Sequence, residues 1–394
     1  MALIKCPECS KEISSSAKTC PHCGIKVEKI TCPECGKKLK GDEKNCPDCG
    51  YPIAKQSTNN LNNINNIITE NLDKITGAKS ENYVTFKDLF KNTFKTHTEE
   101  DLDEVFICGG KTTTPDVKDI NPKDASAWVY LKIFIFFILA YIPTRIGFIN
   151  YGNDNFLPAL VMLGAFAMPV TVLIFFFEIN LFRNIPFYKV IKYFILGGAL
   201  SLIIAILLFS LDINTDIRTY TGALMVGFVE EIPKATVVAL FLFKNKKCNY
   251  ILNGLLVGAA VGAGFAAFET AGYILRNGIN NGLETMLYVI KLRGFLAPGG
   301  HVAWAAIEGA ALMYVKGLEP LSKKHLNDKR FLLMCLIPIV LHGVWDMPIN
   351  SPYCIVQITV TILAWLVIIY YINLGLKQVD DIKKLNKSKK QTTN

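Results

Sequence analysis

The chain has 394 residues, 51% of them hydrophobic, with a formal net charge of +9 and a mean hydropathy of +0.31. These averages exclude a single large globular domain. Roughly the first 125 residues are polar and cysteine-rich, and most of the rest is a series of apolar runs of about twenty residues, long enough to cross a hydrocarbon core. The modest basic excess lies mostly in loops and the C-terminal tail, which suits membrane orientation better than nucleic-acid binding.

Met1–Lys11 carries cysteines and charges but no apolar h-region, so no signal peptide is expected and the N-terminus is expected to stay in the cytoplasm. Eight of the twelve cysteines precede Gly50, and the others (Cys108, Cys248, Cys335, Cys354) are scattered singly. The first eight read Cys6-x2-Cys9-x10-Cys20-x2-Cys23 and Cys32-x2-Cys35-x10-Cys46-x2-Cys49, one unit repeated at a period of 26 residues. Each Cys-Pro-x-Cys turn brings two thiolates to one side. Two such turns close a tetrahedral site with no open position, the pattern of structural zinc. The units are too short to bury a core, so metal binding would supply most of their folding energy. They resemble double zinc ribbons. A disulfide reading needs an oxidising compartment, which the expected cytoplasmic location opposes. Acids among the lysines and a single aromatic, Tyr51, argue against a nucleic-acid reader and for a cytoplasmic protein partner.

Residues 55–82, rich in Asn, Ser and Thr, read as a flexible linker. Two short amphipathic helices are expected next. The first bears Phe86, Leu89, Phe90 and Phe94. The second is capped by Thr98, bears Leu102, Val105 and Phe106, and ends before Gly109. The blander role for both is to cover the membrane bundle.

Eight spans are predicted, at 128–149, 157–182, 190–211, 220–243, 250–275, 294–315, 331–349 and 353–376. Lysine and arginine cluster in alternate connections: Arg183, Lys189 and Lys192; Lys244, Lys246 and Lys247; Lys316, Lys323, Lys324, Lys329 and Arg330; and the tail from Lys377. The positive-inside rule then places both termini in the cytoplasm. The connection 276–293 fits less cleanly, since it carries charges of both signs, and a partly re-entrant course would suit it. The expected fold class is an all-α polytopic membrane protein of about eight helices with two small N-terminal zinc ribbons. The expected domains are ribbons at 1–52, a linker with short helices at 53–125, a transmembrane domain at 126–378 and a basic cytoplasmic tail at 379–394.

Charges inside such spans are costly, about 2.5–3.5 kcal/mol each at the helix centre. Glu230 and Glu231 lie about ten residues, roughly 15 Å, into the fourth predicted span, with Lys234 one turn on. Pro233 is expected to kink the helix beside them. Glu269 falls in the outer half of the fifth span, His301 about seven residues into the sixth, and His342 near the middle of the seventh, one turn before Asp346. Glu308 lies two turns from His301 on the same face. Gly258, Gly262, Gly264, Gly299 and Gly300 would permit close helix approach. Any one of these polar residues alone could be a structural hydrogen-bonder. Four successive spans contributing one at matching depth point to a shared site. Glu178, at the inner end of the second span, looks bland.

Four motifs, Glu230-Glu231-Ile-Pro-Lys234, Gly264-Phe265-Ala-Ala-Phe-Glu269, Pro298-Gly-Gly-His301 and His342-Gly-Val-Trp-Asp346, resemble those of the PrsW family of intramembrane proteases, itself distantly similar to the CAAX-processing proteases. The resemblance covers about 128–376, with one departure: Thr270 stands where the family often has Asn, which is expected to alter hydrogen bonding without removing activity. It implies hydrolysis of a peptide bond in a membrane-bound regulator of the anti-sigma-factor type, near the extracytoplasmic side of a bacterial-type cell membrane. Glu230 would be the general base, with Glu231 and Lys234 tuning it. Glu269, His301, His342 and Asp346 would hold a catalytic zinc ion or act directly as acid and oxyanion donors. The rival readings are a transporter of protons or metal ions, which should show an inverted repeat that is not evident here, and an inactive scaffold signalling through its ribbons.

Overall fold

A computed structural model describes residues 3–5, 12–14, 21–22, 48, 58–211, 213–350 and 352–392. The eight predicted zinc cysteines, Cys6 to Cys49, lie outside the described residues. The chain divides into two units, Met1–Ile67 and Ile68–Asn394. In the first, β1 (Leu3–Lys5) pairs antiparallel with β2 (Glu12–Ser14), Ile4 opposite Ile13.

The stretch expected to be flexible forms a helix instead, α1 (Thr58–Thr76). Its asparagines conceal an apolar stripe: Ile68, Leu72 and Ile75 recur at helical spacing, and Leu72 is buried. Thr76 Oγ1 meets the Tyr370 hydroxyl at 2.6 Å, and that hydroxyl donates to Asp73 at 2.9 Å. The two short helices follow as expected, α2 (Phe86–Leu89) and α3 (Glu99–Phe106), each opened by a capping box, Thr85 with Asp88 and Thr98 with Asp101. Leu89 is fully buried and Phe90 stacks on Phe175, so this region covers the bundle, although Phe86 and Phe94 stay exposed.

The bundle comprises α4 (Val129–Ile149), α5 (Leu157–Glu178), α6 (Phe187–Lys192) leading through one π-turn into α7 (Gly198–Phe209), α8 (Tyr220–Lys244), α9 (Ile251–Leu296), α10 (His301–Lys316), the short α11 (Lys323–Leu326), α12 (Lys329–Asp346) and α13 (Ile355–Thr392). Glu178, which the sequence makes look bland, accepts from the backbone N–H groups of Trp128, Val129 and Tyr130 at 2.7, 2.8 and 3.0 Å and so caps α4.

Among the described residues, five helical stretches are long and apolar enough to cross a membrane: Pro122–Ile149, Asp154–Glu178, Phe187–Phe209, Ile251–Lys316 and Ile355–Ser388. The expected count of eight is not reached on these criteria. The stretch Ile251–Lys316 takes in two of the predicted spans. The helix α8 carries three charges near its middle, and α12 is short with charges at both ends. The helix α8 runs on through Pro233.

The connection 276–293 is helical and reverses. Gly282 has φ 81° and ψ 177°, a conformation open essentially to glycine alone. Arg293 pairs with Glu269, 24 residues earlier, which an unbroken helix would hold about 36 Å away. The returning segment is seated by Ile290 against Gly164 of α5. As a consequence α10 begins at His301, with Gly300 as its N-cap, so His301 stands at a helix N-terminus and not seven residues inside a span.

Glycines at two helix crossings set the helix spacing around the site. A Cβ at Gly258 or Gly262 of α9 would run into the carbonyl of Ala305 or His301 of α10, and one at Gly227 of α8 into Ile339 and Gly343 of α12. Gly264 and Gly299 are equally tight, whereas a Cβ at Gly300 would make only an ordinary contact, 3.8 Å from the Ala297 carbonyl.

Candidate functional site

These close crossings bring polar side chains from α8, α9, α10 and α12 into one cluster. Glu231 and Lys234 are fully buried, Glu230 and His342 nearly so, and His301 and Glu269 partly so. Lys234 Nζ lies 2.7 Å from Glu231 Oε1, 3.9 Å from Glu230 Oε2 and 2.8 Å from His301 Nδ1, above the face of Phe265 at 4.2 Å. An ammonium group has only donors, so His301 Nδ1 must accept and Nε2 must carry the hydrogen, which it donates to Glu269 Oε2 at 3.1 Å. Glu231 Oε1 also accepts from His342 Nδ1 at 2.6 Å. In the neutral ring that leaves His342 Nε2 with a free lone pair, 3.8 Å from Glu230 Oε2 and 3.4 Å from Asp346 Oδ2.

The walls are aromatic. Trp304 stacks on His342 with ring centroids 4.5 Å apart, Trp345 meets Trp304 edge-on, and Phe265 lies 4.9 Å from His301. The low polarity of these walls makes each charge contact stronger than it would be in water, and any unpartnered charge costlier.

All seven residues expected at the site are therefore contiguous, in two layers. Glu230, Glu231, Lys234, His301 and His342 form the centre. Glu269 and Asp346 stand behind the two histidines. Glu308 is buried close enough to interact electrostatically with Glu231, Lys234 and His342, yet neither of its carboxylate oxygens has a protein hydrogen-bond partner. One residue of the cluster was missing from the sequence reading. Arg293 pairs with Glu269, donates from Nε to Thr270 Oγ1 at 2.9 Å and lies 4.4 Å over the Tyr273 ring. Its only sequence signal is the turn-forming Asn281-Gly282 that returns it to the site.

Whether the centre fits a cation can be tested on its own atoms. Glu230 Oε2 is buried without a hydrogen-bond partner, and one donor atom from each of Glu230, His301 and His342 lies within 4.8 Å of the others. Carboxylate oxygen and imidazole nitrogen are zinc-type donors, and three protein ligands are the usual number for a catalytic site. The set fits, with His301 available once Lys234 releases Nδ1.

Comparison with known proteins agrees with the four motifs. Residues 185–372 match the family described as PrsW family intramembrane metalloprotease, and residues 6–50 match the double zinc ribbon. A Protease PrsW of Clostridioides difficile is 28% identical over 52% of this chain and 83% of its own length. Those of Halalkalibacterium halodurans and Bacillus subtilis are 23% and 22% identical, over 55% and 47% of this chain and 96% and 81% of theirs. No solved structure matches the chain. Residues 185–372 of this protein belong to the PrsW family, and a double zinc ribbon precedes them.

Proposed function

We propose that the protein is an intramembrane endopeptidase that hydrolyses a peptide bond of a membrane-bound protein, of the anti-sigma-factor type, near the extracytoplasmic face. The observation carrying this reading is the buried cluster itself: a carboxylate oxygen without a hydrogen-bond partner, Glu230 Oε2, 3.8 Å from His342 Nε2, inside helices otherwise apolar. Glu230 takes a proton from the attacking water as its oxygen bonds to the scissile carbonyl carbon. The C–N bond then breaks, the proton passes to the leaving nitrogen, and the products are a carboxylic acid and an amine, which ionise to carboxylate and ammonium. Glu231, held by Lys234 and His342, fixes His342 in the tautomer whose Nε2 faces the reaction. His301, held between Lys234 and Glu269, serves as a donor to the oxyanion once Lys234 releases Nδ1 and that nitrogen takes up a proton.

If a zinc ion binds, Glu230, His301 and His342 would hold it in place of the direct roles just given, and it would supply Lewis-acid polarisation of the carbonyl. The ribbon cysteines Cys6, Cys9, Cys20, Cys23, Cys32, Cys35, Cys46 and Cys49 hold two structural zinc ions, face the cytoplasm and offer a surface to a protein partner. Both termini are cytoplasmic in this reading.

Co-expression with single-span reporter proteins tests it. Wild type should cut a reporter that Glu230→Ala and His342→Ala leave intact; equal processing by all three would sink the proposal.

A further inference from the structure

We propose, resting on the protease reading above, that Arg293 is a positioning residue for Glu269, so that the site is competent only when the returning segment of α9 is seated. Glu269 touches the centre at one atom, His301 Nε2, and a carboxylate with that single contact is free to swing. Arg293 removes this freedom. It holds the same carboxylate oxygen, Oε2, while its Nε is fixed on Thr270 Oγ1 and its guanidinium plane lies over Tyr273. Its planar donor fork allows these contacts at once, which a lysine ammonium would reproduce only in part.

The support runs further outward. Residues 283–296 return from Gly282, with Met286 and Ile290 buried and Ile290 against Gly164 of α5. The order of contacts is thus α5 to Ile290, Arg293 to Glu269, Glu269 to His301, and His301 to Lys234. The plainer alternative, a peripheral ion pair of little consequence, does not account for a guanidinium fixed on three residues of one helix face, next to a ring at the centre of the site. Thr270 is part of the device: its hydroxyl is the acceptor for Arg293 Nε.

The test uses the full chain in proteoliposomes with a single-span reporter, measuring kcat and KM separately. Arg293→Gln should lower kcat about a hundredfold, the scale of a misplacement near 1 Å, with KM nearly unchanged. Arg293→Lys should recover part of the loss, and added guanidinium ion should restore turnover to Arg293→Ala. Thr270→Val, which keeps shape and loses the hydroxyl, should lower kcat severalfold; it carries the test if the arginine variants fail to accumulate. Wild-type kcat in Arg293→Gln or in Thr270→Val, a loss confined to KM, or no response of Arg293→Ala to guanidinium would overturn the proposal. A wild type no more active than Glu230→Ala would refute the protease reading instead.

Discussion

Lys234 neutralises charge and sets tautomers at the same time. It is fully buried, and its partner Glu231 is fully buried too. Removing one member of such a pair leaves the other uncompensated in a medium of low polarity, which costs about 3–5 kcal/mol. Lys234→Met should therefore lower stability by about that amount in a thermal or denaturant titration of the purified protein, and a wild-type melting temperature would contradict the charge assignment. Glu308 presents the opposite case, since no protein group satisfies its buried carboxyl. Glu308→Leu should be neutral or stabilising by about 1–4 kcal/mol in the same measurement; clear destabilisation would show that the carboxyl has partners. The site residues themselves were legible because charged side chains in apolar runs are costly and therefore stand out. Arg293 was not, because its run carries charges of both signs and its partner lies 24 residues away, beyond any local spacing rule.

Among the elements, the apolar runs of α4, α5 and α8 gave helices close to their expected limits. The misreadings have separate causes. The apolar stripe of α1 is thinned by asparagine, so composition hid its period. The reversal at Gly282 depends on one residue with positive φ inside a polar segment. The start of α10 at His301 follows from that reversal, which uses up the residues expected to begin the span. Gly282→Ala would place a side chain in a glycine-only conformation and should cost about 1–3 kcal/mol, read as a lower melting temperature with reduced turnover. Gly227→Val should separate α8 from α12, because a branched side chain there meets the backbone of Ile339 and Gly343. About 1–3 kcal/mol of overpacking, with turnover lost at unchanged zinc content of the ribbons, is the expected result in paired unfolding and activity assays.

At the scale of the whole molecule, the protein joins a double zinc ribbon to a PrsW family domain whose polar residues converge between α8, α9, α10 and α12. If each ribbon holds one zinc ion with four cysteines, the ribbons account for about two per chain, and a loaded centre would add about one more. Elemental analysis of the full chain should show that third equivalent fall away in Glu230→Ala with His342→Ala, while the ribbon zinc stays. The measurement bearing most directly on the central claim is cleavage by the purified full chain in proteoliposomes, with the cut located by mass spectrometry of both fragments. The account predicts one principal cut in the extracytoplasmic half of the substrate span, absent with Glu230→Ala. An intact substrate under wild type, or the same cut under Glu230→Ala, would contradict it.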